Sequence, residues 1–207
     1  MGKSLLVKAL AALVLNVGLV GAQTLDPDAL VNQIDGQMSN EEKFLELLGD
    51  ANPARARLAM EMMLDSGDPA AERLALGFGL NSADPVFQRI ALDGFFVTGP
   101  SLQVSFDASG LESLKGFTSD IQQLAGSVDD AQQGFAVLTV GDFSEAENCY
   151  QWAGSQDCGI RLTDAGASIY FRGYWYEMTL HDDGTLRGIS NMYYTEEPVP
   201  FVIPVAL

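Results

Sequence analysis

The sequence predicts an α+β protein in which a stack of about five helices precedes an antiparallel β region. Three observations predict this class. A sixteen-residue repeat with helical spacing runs from Asp50 to Val97, a break follows at Gly99 and Pro100, and strand-like alternation with turn signals fills the second half. We expect the β region to form a sandwich or a strongly curved sheet that buries six or more strands.

The repeat opens each of its three rows with a helix-capping residue before a proline. The caps are Asn52, Asp68 and Asp84. Their side chains can accept from the free N–H groups of a first helical turn. Proline is tolerated at the first helical position because its missing N–H would be unpaired there. Each row therefore predicts a helix of about eleven residues, roughly 16 Å long, followed by a short turn.

Two more helices are expected before the repeat. Asp26 and Pro27 form an opening of the same kind. Further on, Ser39 and Glu42 form a capping box, in which Ser39 bonds forward and Glu42 bonds back. The helix that starts there should end at Gly49.

From Ser39 to Val97 the chain resembles short HEAT-type helical repeats. The resemblance rests on the Asp-Pro openings, on the recurring arginines and on small residues at fixed places in the rows. These small residues are Ala59, Ala75 and Ala91. The resemblance implies a stack of helices that serves as a protein-binding scaffold, since one such helix cannot bury its own apolar stripe.

Arginine recurs at the same place in all three rows. The three residues are Arg57, Arg73 and Arg89. Two interpretations are open: they pair with Asp65, Asp68 or Asp84, or they form a cationic ladder for an anionic ligand. We favour the structural pairing because acidic groups crowd the same rows.

Residues 1–22 have the pattern of a secretory signal peptide. Lys3 and Lys8 give a positive start, an apolar stretch follows, and Ala22 ends a small-residue cleavage pattern. The stretch is too short for a comfortable membrane span. We expect cleavage before Gln23, a secreted or periplasmic location, and no membrane span in the remaining chain.

The 207-residue chain carries a formal charge of −17, which becomes −19 once Lys3 and Lys8 are removed. A surface this acidic repels nucleic acid and anionic lipid. It suits solubility or a basic partner. Two cysteines, Cys149 and Cys158, are most simply a disulfide in an oxidising compartment.

The break at Gly99 predicts a boundary between a helical domain, 23–98, and a β domain, 99–207. Leu102, Val104 and Phe106 alternate with polar residues, as in a half-buried strand. A short helix is expected near Ser119. Later strands are expected at 135–140, apolar on both faces as in a central strand, and at 167–172, 174–181 and 186–194.

Turns and tail complete the β region. Asp182, Asp183 and Gly184 predict a hairpin loop with Gly184 in the left-handed position and Leu180 opposite Leu186. The apolar tail 198–207 is expected to be extended and to cover this protein's own sheet or the seam between helices and sheet. Pairing with another protein's sheet edge is the alternative.

Catalytic residues, metal ligands and cofactors are not predicted. His181 is the only histidine and lies beside a turn, and no sequence motif of a nucleophilic enzyme accompanies it. Glu145 and Glu147 could serve a glycosidase. Chance pairs of this kind are expected among 28 acidic residues.

Aromatic residues are the most suggestive candidates for binding. Tyr150 and Trp152 lie in the loop, 150–157, that the disulfide would close, and Trp175 lies in an aromatic-rich strand. Exposed aromatics anchor interfaces. The leading hypothesis is a non-catalytic protein that holds a protein partner through its helical stack or this aromatic face. The alternatives are a carbohydrate- or cell-wall-binding module and a hydrolase with an unrecognised acid pair.

Overall fold

The structure, a computed structural model, describes residues 26–164, 166–192, 194–195 and 197–205. The signal peptide predicted for residues 1–22 lies outside the described residues. Helices come first and antiparallel strands follow, so the α+β class is confirmed. No described helix has the length and apolarity that a membrane span requires.

Four helices precede the first strand and a fifth follows it. Their bounds are α1 Pro27–Leu48, α2 Pro53–Leu64, α3 Pro69–Leu80, α4 Pro85–Val97 and α5 Leu114–Gln123. The three repeat rows are α2, α3 and α4. As predicted, the side chains of Asn52, Asp68 and Asp84 cap them, each accepting from a backbone N–H two residues ahead at 2.9–3.0 Å.

The prediction of two helices before the repeat is wrong. α1 runs without a break through Ser39, so the capping box does not begin a new helix. No proline lies between Pro27 and Leu48 and the single glycine, Gly36, is tolerated in a helix interior, so nothing in the sequence forces a stop. α5 begins at Leu114, five residues before the predicted start.

The chain divides into two compact units after Gln37. In the first, the described residues 26–37 are exposed, and all of them after Asp26 belong to α1. The second, from Met38 onward, contains α2–α5 and the β region. The boundary predicted after residue 98 coincides with the change from helix to strand, and the division into two domains there stays a prediction.

The β region contains nine strands among the described residues. Their bounds are β1 Ser101–Asp107, β2 Ser127–Val128, β3 Gln133–Ser144, β4 Cys149–Trp152, β5 Cys158–Thr163, β6 Gly166–Phe171, β7 Tyr174–His181, β8 Thr185–Ser190 and β9 Val199–Pro204. β3 to β9 pair with their neighbours in order, and β1 pairs with both β9 and β3. This second pairing closes eight strands into an antiparallel barrel. The short strand β2 pairs only with the start of β3.

A closed barrel replaces the expected sandwich or curved sheet. The closing strand is β9, which comes from the apolar tail and lies between β8 and β1. Its side chains alternate in burial: Val199, Phe201 and Ile203 are buried, while Pro200 and Pro204 are exposed. Proline cannot donate to a ladder, and β9 pairs with β1 over only two residues. The described part of the tail, 198–205, is extended as predicted, but it supplies a strand of the barrel instead of covering the sheet or the seam between helices and sheet.

Side chains fill the barrel. Phe106, Phe171 and Phe201 contact one another with ring centroids 5.7–5.9 Å apart, and Tyr176 stacks on Phe171 at 4.6 Å. Phe117 of α5 reaches the same cluster. Such mutually packed aromatic rings bury large areas and dominate core energetics. The interior is a core rather than a ligand cup.

One hairpin was predicted correctly, whereas the predictions for β3 and β4 were partly wrong. The hairpin between β7 and β8 is confirmed: Leu180 pairs with Leu186, and Gly184 has φ of +70°. The predicted central strand at 135–140 is β3, but Phe135 and Val137 are exposed on its outer face. β4 was expected to be part of a loop.

The last turns of α1 together with α2, α3 and α4 form a layer that we call the helical layer, and α3 lies at its centre. Gly79 of α3 meets both neighbours, because a Cβ placed there would lie 2.3 Å from Met60 Cε of α2 and 2.6 Å from Ala91 Cβ of α4. α4 in turn lies against β3, β5 and β6. The helices and the barrel therefore share one continuous hydrophobic core.

Candidate functional site

An apolar groove lies between the last turns of α1, α2 and the start of α3. Its volume is 380 Å³. Most of its lining is apolar, and the main contributors are Phe44, Leu47, Leu58, Met62, Met63 and Ala71. We call this set the helical groove.

Apolar residues occupy two faces of α2. Met60 is fully buried and Met63 nearly so, and both face the core. Leu58 and Met62 are one turn apart and remain 55% and 65% exposed. A helix that only covers a core needs one apolar stripe, so the second stripe is not explained by folding.

Charges around the helical groove are predominantly acidic. Residues 38–73 carry eight carboxylates and four basic side chains, a formal charge of −4. Arg55 at the groove is already paired with Asp50 at 3.0 Å. The surroundings therefore favour an apolar ligand surface that carries positive charge at its edges.

The arginine column does not form the predicted pairs. Arg57 lies 3.7 Å from Glu61 on its own helix, and Arg89 lies 3.9 Å from Asp164 of the barrel. Arg73 has no ion pair within the described residues and is exposed. Asp68 and Asp84 use their side chains to cap helices instead. Exposed pairs at these distances contribute little to stability.

The predicted disulfide between Cys149 and Cys158 is present. It joins β4 to β5 and closes the intervening turn. Trp152, at the end of β4, is half-buried: its ring lies against Gly159, and its Nε1–H donates to the carbonyl of Tyr170 at 3.1 Å. Gly159 is required there, because a Cβ would lie 2.5 Å from the indole.

Trp175 lies on the same outer surface of the barrel. Its ring centroid is 5.3 Å from that of Tyr170, its cross-strand partner. The guanidinium carbon of Arg161 lies 4.4 Å from the Trp175 ring centroid, a cation–π distance. The structure thus brings Trp152 and Trp175 to opposite sides of Tyr170. We call Trp152, Tyr170, Trp175 and Arg161 the aromatic face.

Tyr150, the third aromatic candidate, is not part of a surface, since it is only 3% exposed. Its ring packs on Phe96 of α4 and on Phe143, and its hydroxyl donates to the Asp93 carboxylate. Burial, and then the hydrogen bond to this carboxylate, raise the pKa of Tyr150 well above its ordinary value. Its role is to attach the barrel to α4.

Sequence reasoning missed a buried ion pair. Asp120 of α5 is fully buried; it accepts from Arg172 Nε at 3.1 Å and from the backbone N–H of Tyr194 at 2.9 Å. Arg172 has φ of +54° in the two-residue turn between β6 and β7, a backbone conformation rare for residues other than glycine. The carboxylate anchors this strained turn. The sequence contained one signal of this turn. Arg172 and Gly173 occupy the hairpin position that usually carries Asn-Gly, so an arginine there indicates a backbone conformation that needs support from elsewhere.

The residues considered for catalysis do not converge. Glu145 and Glu147 are exposed in the turn after β3, and His181 is exposed at the end of β7. Across the described part of the chain, no group of three or more His, Cys, Asp and Glu side chains is placed to hold a metal.

Comparisons give no functional assignment. No protein-family model matches the chain, and no curated protein or solved structure matches it.

Proposed function

We propose that this protein is a non-catalytic binding protein, acting outside the cytoplasm, whose HEAT-like helical layer holds a protein partner. The observation that carries the proposal is the second apolar stripe of α2. Leu58 and Met62 are more than half exposed, yet they line a groove with Phe44 and Leu47. Grooves of this kind receive the apolar face of an amphipathic helix.

Methionine suits such a groove. Met62 and Met63 both line it. Their unbranched, polarisable side chains adapt to differently shaped partners, as at other helix-binding surfaces. Exposed methionine at this position costs the folded protein little and leaves apolar area to be buried by a partner.

The partner is a segment that forms an amphipathic helix with basic residues beside its apolar stripe. The acidic side chains of 38–73 attract the basic residues of such a helix. A second copy of this chain carries the same negative charge and is repelled. The disulfide, together with the signal-like residues 1–22, supports a location outside the cytoplasm.

The test uses two synthetic peptides of identical composition, rich in leucine and lysine. One places leucine at helical spacing and the other disperses it. Fluorescence anisotropy with the purified protein should show binding of the first peptide only. The paired change Leu58→Gln and Met62→Gln should weaken that binding at least tenfold.

The control is Ile189→Gln. Ile189 is 60% exposed on β8, comparable with Met62, but does not line the groove. It should leave peptide binding unchanged. Equal binding of both peptides, or equal loss in the groove and control variants, would show that only general charge attraction is at work and would contradict the proposal.

A further inference from the structure

The aromatic face lies between two depressions on the outer surface of the barrel. The smaller has a volume of 380 Å³ and the larger 670 Å³. Tyr170 and Asp157 line both, Trp175 lines only the smaller and Trp152 only the larger. The two depressions are therefore adjacent subsites separated by Tyr170, and each has its own tryptophan.

Arg161 differs from most arginines of this chain. Five of the seven have a carboxylate within 4.0 Å; they are Arg55, Arg57, Arg89, Arg172 and Arg187. Arg161 has none among the described residues, although the protein is strongly acidic. It is held by stacking on Trp175. A stacked guanidinium keeps its N–H groups free in a fixed plane.

The smaller depression combines donors with acceptors. Arg161 and the Gln156 amide supply N–H groups, while Glu147 and Asp157 supply carboxylate oxygens. Within the described residues, the side chains of Glu147 and Gln156 make no hydrogen bond, and the Asp157 carboxylate accepts only from the Ser155 hydroxyl. These groups are available to a ligand.

We propose that the aromatic face and its two depressions bind a neutral oligosaccharide of at least two pyranose rings. A sugar ring presents an apolar C–H face to aromatic rings, and its hydroxyls both donate and accept hydrogen bonds. The mixture of donors and carboxylate acceptors around Trp175 matches that chemistry. This inference is independent of the helical groove.

Two other ligand classes fit less well. A proline-rich peptide also docks on aromatic rings, but its prolines have no N–H to donate to Glu147 and Asp157, and the indole N–H of Trp152 is already used by the Tyr170 carbonyl. An acidic polysaccharide would meet two carboxylates beside one arginine, on a chain of formal charge −17. A neutral saccharide avoids both penalties.

The site is also preorganised. Gln156 and Asp157 belong to the turn that the disulfide closes, and Arg161, Tyr170 and Trp175 project from three consecutive strands. Side chains held on a sheet lose little further freedom on binding.

Tryptophan fluorescence tests the proposal directly, because the chain has only two tryptophans and both lie on this face. The purified protein is titrated with cellohexaose, chitohexaose and maltohexaose, and in parallel with polygalacturonate and a proline-rich peptide. We expect a saturable change in emission with at least one neutral hexasaccharide and none with the other two probes. No change with any hexasaccharide at millimolar concentration, or tighter binding of polygalacturonate or the peptide, would overturn the proposal.

Variants then locate the site. Trp175→Ala should raise the dissociation constant at least tenfold, measured by calorimetry because one fluorophore is lost. Gln156→Ala, an exposed change that cannot disturb the core, should raise it severalfold. Tyr174→Ala removes an aromatic residue that is 52% exposed but lines neither depression, and should have no effect. Equal effects of Tyr174→Ala and Gln156→Ala would place the ligand elsewhere and refute the site.

Discussion

The helical groove and the interior of the barrel place their large apolar side chains in opposite ways. In the helical layer, Leu47, Leu58 and Met62 are between 44% and 65% exposed. In the barrel, Phe106, Phe171 and Phe201 are at most 3% exposed and pack on one another. The side chains of the barrel interior therefore contribute to stability, whereas those of the helical groove leave apolar surface exposed to solvent.

One ion pair of the barrel is largely buried, although the Arg187–Asp183 pair on its surface is exposed. The arginine pairs of the helices are exposed, whereas the Asp120–Arg172 pair of the barrel is largely buried. The two regions therefore differ in what their side chains do. Those of the barrel interior stabilise the fold, and those of the helical groove remain exposed. Mutations in the barrel interior should therefore lower the free energy of unfolding more than mutations at exposed helix positions.

The largest effect is expected at the centre of the barrel. Phe201→Ala removes a ring that contacts Phe106, Phe171 and Tyr176. We expect a loss of about 3–5 kcal/mol in the free energy of unfolding, measured by urea denaturation. Val97→Ala in the helical layer, where the side chain is 67% exposed, should cost less than about 0.5 kcal/mol. Similar losses would remove the contrast between the regions.

Removing the disulfide should come next. Replacing Cys149 and Cys158 together by serine frees a short loop, which costs about 2–3 kcal/mol in the chain-entropy description. The same change should weaken saccharide binding because Gln156 and Asp157 lose their fixed positions. Peptide binding at the helical groove should be unaffected, and a parallel loss of both activities would contradict the separation.

Two glycines of α3 test how tightly the helices pack. Gly79→Ala forces a methyl group against Met60 and Ala91, so we expect a loss of about 1–3 kcal/mol. Gly77→Ala meets nothing within 4 Å and should stabilise the protein by up to about 1 kcal/mol through helix propensity. Thermal unfolding should therefore shift in opposite directions, and shifts of the same sign would refute the close approach at Gly79.

Alkaline pH should act on the barrel through Tyr176. Burial, and then the negative charge of Asp120, raise the pKa of Tyr176 to about 12. Below about pH 10 the folded and unfolded states both keep this proton, so stability does not change. Between pH 10 and about 12 the unfolded state releases the proton first, and stability falls.

The check is denaturation at several pH values. Tyr176→Phe should lose less stability per pH unit in this window than the wild type, whereas Tyr170→Phe, on the outer surface of the barrel, should behave like the wild type. Identical slopes in all three proteins would show that Tyr176 does not carry the effect.

The smallest effects are expected in the arginine column. Arg57→Ala and Arg89→Ala each remove an exposed ion pair longer than 3.6 Å and should change the free energy of unfolding by less than about 0.5 kcal/mol. Arg73→Ala, which breaks no pair, is the matched control. A loss above 1 kcal/mol at Arg57 or Arg89 alone would restore the structural interpretation of the column.

Local chemistry explains what the sequence could predict. The caps at Asn52, Asp68 and Asp84 act within two residues, and the hairpin loop at Gly184 is decided by three residues, so both could be read directly. The disulfide followed from two cysteines in a chain with a signal-like start. Such features do not depend on what lies far along the chain.

Non-local pairing explains the failures. β1 and β9 are about 95 residues apart, and neither contains a signal that it pairs with the other, so the barrel was missed. The contact between Tyr150 and Asp93 joins a strand to a helix and hid one candidate residue in the core. Arg161 was not among the predicted site residues. Its availability to a ligand follows from having no carboxylate within 4.0 Å among the described residues, which can be seen only in the three-dimensional structure.

The place of β9 between β8 and β1 has a consequence for biosynthesis. The ring cannot close before residues 199–204 have left the ribosome, because no earlier strand supplies the missing pairing. Until then β1 and β8 each have a free edge, and long-range pairing of this kind is slow. The barrel therefore closes only after β9 has been made, when its other strands are already present.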